Sequence, residues 1–268
     1  SHRFGADSGI GRLAQAVNAG EATLAQALLT QGLPDIGLIH DLANLHAGWR
    51  PLLMLLQQSR PAPGTPAAAL DAWALEVLKA LSRFQVLCAV RGGPQGVEAI
   101  NRRMARALAG EGLIPQSDGW FLGRPVMVTR NDHALGLMNG DVGVMLHGPA
   151  GGPGTPPLRV AFPDGRGGVR WVPPSRLQEV ETVFAMTVHK SQGSEFDHAV
   201  LVLPGHPSPV VTRALVYTAI TRARAKFTLV TGEGRLEVLQ QAVQRTAPGA
   251  AGTADTGTSP AGPSPQVA

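Results

Sequence analysis

The densest gathering of reactive groups in the chain is TVHKSQGSEFD, residues 187–197, where hydroxyl, imidazole, ammonium, amide and carboxylate side chains surround one glycine. It follows the apolar run FAMTV, residues 184–188. A turn at a strand end can offer backbone N–H groups and short polar side chains to phosphate oxygens, and Glu195 can accept from a sugar hydroxyl. An ordinary polar turn between two strands is the alternative reading. A second segment, LVYTAITRARAKFTLV (residues 215–230), sets Arg222 and Arg224 where a helix gives way to a strand. An arginine at a sheet edge can reach a γ-phosphate bound by a neighbouring domain. The alternative is a helix-terminal arginine that satisfies carbonyls and the helix dipole.

The nucleotide chemistry is incomplete. The phosphate cradle GxxxxGK[ST] is absent, the lysines are Lys79, Lys190 and Lys226, and none of them follows a glycine. No strand ends in paired acids that could hold Mg²⁺ and polarise water, so the chain alone is not expected to hydrolyse ATP. GxGxxG is missing too, which argues against a dinucleotide-dependent oxidoreductase. The lone cysteine, Cys88, excludes an intramolecular disulfide and a cysteine zinc cluster, reads as a small core residue, and fits a reducing cytoplasm. No uncharged apolar run is long enough to span a bilayer, and no signal peptide opens the chain.

Charge is unevenly placed. Lys and Arg total 23 against 19 acids, a net of +4. Arginines 83, 91, 102, 103 and 106 face only Glu98 in their stretch, and Arg213, Arg222, Arg224 and Lys226 have no acid among them. Both stretches could face phosphate or form solvated helix faces.

The elements that must position these groups read as α/β. Ser8 can cap a helix carrying Ile10, Leu13, Ala14 and Val17; residues 19–56 read as short helical pieces, and 59–66 as a loop. A helix from Ala67 to about Ser82 leads into FQVLCAV (84–90), an apolar run suited to a buried parallel strand. A Gly-rich basic turn follows, then a helix with Val97, Ile100, Met104 and Leu108 on one face. Residues 123–182 change to short strands joined by tight turns at Asn139-Gly140-Asp141 and Asp164-Gly165, which suggests a small antiparallel barrel inserted in the α/β unit. Parallel-strand character returns at 184–188 and 198–204, followed by a helix at about 211–223 and the strand KFTLVTG. The Ala-, Gly- and Pro-rich stretch 246–268 is expected to be a disordered tail.

TVHKSQGSEFDHAVLVLP and PVVTRALVYTAITRARAKF resemble motifs V and VI of superfamily 1 helicases, in the form seen in the alpha subunit of exodeoxyribonuclease V. HRFGADSGIGRLAQAVNAG resembles the motif IV region; FQVLCAVRGGPQGVEAINRRM and GRPVMVTRNDHALGLMNGDVGVML resemble the second RecA-like domain and its SH3-like insertion. The resemblance implies a RecA-like domain 2A with a mainly parallel sheet, over 1–122 and 183–245, interrupted by an SH3-like barrel at 123–182. It implies that Arg3 (motif IV) and Arg222 (motif VI) reach the ATP γ-phosphate across a cleft. Gly193 and Glu195 would stand near the nucleotide, and Thr187, His189 and Lys190 would face DNA, with Gln192 between the two sets. Arg91, Gly96 and Asn101 would meet phosphates of single-stranded DNA, helped by backbone N–H groups at a helix N-terminus. Arg130, Asn131 and Asn139 would be contacts from the insertion.

Motifs I, Ia, II and III, which supply the Walker lysine and the Mg²⁺-binding acids, are absent, so the chain is expected to be the C-terminal part of a longer protein. The whole would be an ATP- and Mg²⁺-dependent 5′–3′ translocase on single-stranded DNA. It would work with beta and gamma subunits on DNA ends, and no metal site is expected here. The alternatives are a non-catalytic DNA-binding or docking module and the helicase half of a stand-alone or relaxase-linked relative.

Overall fold

The computed structural model describes residues 8–149, 155–232 and 236–245. Arg3 and the 246–268 stretch lie outside them.

Five parallel strands form the central sheet: β1 (Ile36–Ile39), β2 (Phe84–Cys88), β8 (Ala185–Thr187), β9 (Phe196–Val202) and β10 (Ala223–Val230), in the order β1-β10-β9-β2-β8. One face is covered by α1 (Gly9–Ala19), α2 (Ala22–Thr30), α6 (Arg213–Ile220) and α7 (Glu237–Gln244), which bury Leu13, Val17, Leu215 and Leu239 against Leu87, Leu201 and Phe227. The other face is covered by α3 (Arg50–Gln58), α4 (Ala67–Leu81) and α5 (Val97–Gly110), whose Leu53, Val77, Ile100 and Leu108 pack on Val86, Cys88, Val200 and Val202. Covering both faces is why the central strands read as unbroken apolar runs. Burial pushes the Cys88 thiol up to about 12, so it is an inert core group.

The stretch 19–56 holds more than helical pieces: β1 pairs with β10 from Ile36↔Phe227 to Ile39↔Val230 and forms one of the two outer strands of the sheet. The same segment closes the entry of α1, where Ser8 Oγ accepts from the Gly11 N–H at 2.9 Å and Asp35 Oδ2 from the Ile10 N–H at 2.9 Å. A Cβ at Gly9 would collide with the Asp35 carboxylate, so this double cap requires glycine there.

Between α5 and β8 the chain builds a second, antiparallel sheet from β3 (Pro125–Val128), β4 (Val142–His147), β5 (Leu158–Pro163), β6 (Val169–Val172) and β7 (Val180–Thr182), in the order β6-β5-β4-β3-β7. Its first and last strands are neighbours, with Val126 opposite Thr182, so the insertion leaves and re-enters the α/β unit at one place. Alternation sorts its side chains: Val144, Leu146 and Ala161 join the α3–α5 core, while Met145, Val160 and Phe162 form a core of the insertion's own. Trp171 Nε1 donates to Asp71 Oδ1 at 2.7 Å, tying β6 to α4. Among the described residues the ladders leave β6 and β7 as outer strands, so the observed element is an antiparallel sheet with two packed faces.

An aromatic cluster holds the start of β8. Trp49 meets Phe84 and Phe184 edge-on, with ring centroids 5.9 and 5.4 Å apart. The Phe184 carbonyl accepts from Trp49 Nε1 at 3.2 Å and Gln85 Nε2 at 3.3 Å. On the solvent side, Arg50 and His46 hold the Glu111 carboxyl down at about 2, joining α3 to the end of α5.

Candidate nucleotide and nucleic-acid interface

The parallel register dictates what the 188–195 segment must do. Thr187 at the end of β8 lies beside Cys88, whereas β9 starts below Phe84, which is opposite His198. The connection therefore runs from the C-terminal end of one parallel strand to the N-terminal end of another. It begins as a 3-10 turn, His189–Ser191, anchored by the Val188 N–H to Cys88 O at 3.1 Å and by the buried Ser191 Oγ to Val188 O at 2.7 Å. Gly193 then takes φ +84° with open space where a Cβ would sit, a left-handed conformation that suits glycine.

At the first end, Thr187 Oγ1 accepts from the Lys190 N–H at 3.3 Å, and Lys190 Nζ forms an ion pair with Glu181 of β7. Glu181 also takes Arg91 Nη2 at 3.3 Å. His189 and Gln192 are exposed. At the second end, Arg222 lies between α6 and β10. Its Nη1 donates to Ser194 O at 3.1 Å and its Nε to Thr218 O at 3.2 Å, while the Phe196 N–H donates to Arg222 O at 2.8 Å. Arg224 pairs with Glu195 at 3.2 Å and reaches Asp197 at 3.6 Å.

Lys190, Gly193 and Glu195 share a cleft of about 570 Å³ between this connection and the insertion, whose wall includes Asp141, Asp164, Arg170 and Arg224. Asp141 and Asp164 are already engaged by backbone, and Glu195 by Arg224. Asp141 accepts from the Met138 N–H at 2.8 Å, and Asp164 from the Arg166 and Gly168 N–H groups at 2.7 Å each, which hold the Asp164 carboxyl below its ordinary range. Among the described residues no group of three or more His, Cys, Asp or Glu could hold a metal. These residues do not fit a Mg²⁺ site.

Two expectations about the basic turn change. The N–H groups of Gly96, Val97 and Glu98 at the start of α5 donate to Gly93 O, Val90 O and Arg91 O, at 3.0, 3.1 and 3.4 Å. These three donors face the turn itself and are not offered to a phosphate, whereas the Arg91 guanidinium is exposed. A Cβ at Gly96 would collide with the carbonyls of Arg91 and Gly92, so this glycine is required for the tight turn. Asn101 donates to Ala185 O at 2.9 Å and accepts from the Ala185 N–H at 3.0 Å, pairing with the free edge of β8 as another strand would. Its amide positions β8.

In the insertion, Arg130, Asn131 and Asn139 are exposed, and Asn131 Oδ1 accepts from the Asn139 N–H at 2.8 Å. They form a separate patch beside the main cleft's lining. Glu181 is the site residue that sequence reasoning missed: a lone acid on a short strand carries no local signal, and only the packing of β7 beside β8 brings it to Arg91 and Lys190.

A titrating group lies on β9. His198 Nε2 contacts Thr228 Oγ1 at 2.9 Å, its ring meets Phe84 edge-on at 5.3 Å, and burial together with the Lys226 ammonium pushes its pKa down to about 4. The unfolded chain, with an ordinary imidazole, takes up the proton first as pH falls. Stability is therefore full above about pH 6.5 and declines toward pH 4, by up to about 3 kcal/mol from this group. Urea unfolding across that range should show the decline, and His198→Gln should flatten it; parallel pH dependences for the two proteins would contradict the assignment.

The UvrD-like helicase C-terminal domain family matches residues 182–230, a span that contains every site residue from Thr187 to Arg224. The RecBCD enzyme subunit RecD of Mycolicibacterium smegmatis is 38% identical over 250 residues, covering 92% of this chain and 41% of that protein. RecD of Haemophilus influenzae is 33% identical over 261 residues, covering 92% and 38%. Over about nine tenths of its own length the chain is thus similar to proteins named RecBCD enzyme subunit RecD. It spans about two fifths of the length of these curated relatives. The ATP-dependent RecD2 DNA helicase of Deinococcus radiodurans is 31% identical over 193 residues, covering 71% of this chain and 25% of that protein. Among solved structures, the Pif1 helicase of Candida albicans superposes with a TM-score of 0.36 at 15% identity, covering 69% of this chain and 54% of that one, a likeness too loose to argue from. None of the described helices is long and apolar enough to cross a membrane.

Proposed function

We propose that this chain is the second motor domain of an ATP-driven, 5′–3′ single-stranded-DNA translocase, a subunit that works with beta and gamma partners on DNA ends in the cytoplasm. Arg222, with Arg3, would face the γ-phosphate of ATP held with its Mg²⁺ by a Walker-motif half, with Gly193 and Glu195 beside it. Thr187, His189, Lys190 and Arg91 would face DNA, with Arg130, Asn131 and Asn139 on the insertion, which we read as the SH3-like element at 123–182.

The observation that carries this reading is the tie between the two ends of one connection. Arg222 Nη1 holds Ser194 O, at the far end of the turn that carries Lys190. An arginine that shifts when γ-phosphate arrives or leaves would thus pull the turn facing DNA, the coupling a translocase requires. The guanidinium would offset charge on the transferring phosphoryl group; the remaining groups of this chain position and bind.

The test is binding of the 268-residue chain to an oligothymidylate by fluorescence anisotropy over a range of salt. Affinity is expected to fall linearly on a log–log plot with a slope of about −0.7 for each phosphate neutralised. Binding indifferent to salt, or no binding at low salt, would remove the DNA-facing assignment.

A further inference from the structure

We infer that Glu181 is an internal stand-in for a DNA phosphate: it occupies the Arg91–Lys190 cation pair when DNA is absent and must be displaced for a phosphodiester to bind there. The inference rests on the DNA-binding reading above and adds to it a residue that sets affinity.

Three elements meet at this point. Arg91 comes from the turn after β2, Lys190 from the connection after β8, and Glu181 from the outer strand β7 of the insertion. The two carboxylate oxygens divide the work, Oε2 taking Arg91 and Oε1 taking Lys190. A phosphodiester offers the same pattern: one negative charge spread over two non-bridging oxygens, which two cations can share. Beside the pair, Arg91, Glu98, Asn101, Arg102, Glu181 and Thr182 line a cavity of about 290 Å³, room for a displaced carboxylate or an arriving phosphate. Side-chain exposures of 54% for Arg91, 27% for Lys190 and 24% for Glu181 leave the cations open to solvent from outside.

The charge arithmetic gives a direction. Two cations and one carboxylate net +1; without the carboxylate the pair nets +2. A tethered acid competes at high effective concentration, so its presence lowers affinity and masks one cation from counterion exchange. It also ties the insertion to both turns until DNA arrives.

Glu181→Gln, nearly isosteric, is therefore expected to bind an oligothymidylate roughly threefold to tenfold tighter at low salt, with the log–log salt slope steeper by about 0.7. Glu181→Asp, which keeps the charge, should stay closer to the parent, and adding Arg91→Gln and Lys190→Gln to Glu181→Gln should abolish the gain. Thermal melting verifies that each variant is folded, and Glu181→Ala serves the same comparison if the glutamine variant does not melt cooperatively. Equal or weaker binding with an unchanged or shallower slope would overturn the stand-in role while leaving the DNA reading in place. Absence of salt-dependent binding by the parent chain would overturn both.

Discussion

Arg222→Ala, in a polypeptide that joins this chain to a Walker-motif half, is expected to lower DNA-stimulated ATP turnover by on the order of 10³- to 10⁵-fold. Nucleotide binding should remain nearly unchanged. The size of the effect follows from timing: a guanidinium that meets charge developing on the phosphoryl group contributes mainly in the transition state, so its loss falls on kcat. Arg222 is well placed for this because Thr218 O and Ser194 O fix its base and no acid among the described residues pairs with it, in contrast to Arg224, which is committed to Glu195 and Asp197. Arg222→Lys should recover little, since an ammonium cannot hold the Ser194 carbonyl and reach phosphate through one planar fork. Steady-state ATPase assays with a nucleotide-binding measurement decide the matter; turnover within a small factor of the parent would mean that Arg222 only ends a helix.

The largest stability effect is expected at Phe184, on the segment that aims the same turn. Phe184 is fully buried, edge-on to Trp49, and immediately precedes β8. Phe184→Ala should cost about 3–5 kcal/mol by removing a buried ring and leaving a cavity. Domains of this kind are stable by only about 5–15 kcal/mol, so the shift in urea midpoint will be large. Leu24→Ala, on the solvent face of α2 at 43% exposure, should stay within about 0.5 kcal/mol. A Phe184→Ala loss under about 1 kcal/mol would show that the aromatic cluster does not carry the β8 entry.

The central strands were legible in the sequence because burial on both faces leaves no room for polar alternation: FQVLCAV and HAVLVLP hold β2 and most of β9. Ser8 capping and the Val97, Ile100, Met104, Leu108 stripe were legible for the same local reason. β1 was not. It has four residues, one of them Gly37, and follows Pro34, so its identity comes from pairing with β10 nearly two hundred residues away. The turn chemistry of the site was likewise readable from residue types, whereas the destinations of individual groups were not. Asn101 looks like a phosphate ligand until β8 is seen beside it, and the α5 amides look free until the preceding turn folds back on them. Glu181 needed three elements to be assembled before it had any meaning.

The most direct test of the account is ATP turnover by the product of the whole reading frame that contains this chain, with and without a single-stranded oligonucleotide. Hydrolysis is expected to rise steeply and saturably with DNA and to be lost on Arg222→Ala. A product that binds DNA yet shows no ATP turnover, or turns over ATP at a rate indifferent to DNA, would contradict the motor and leave a binding module in its place.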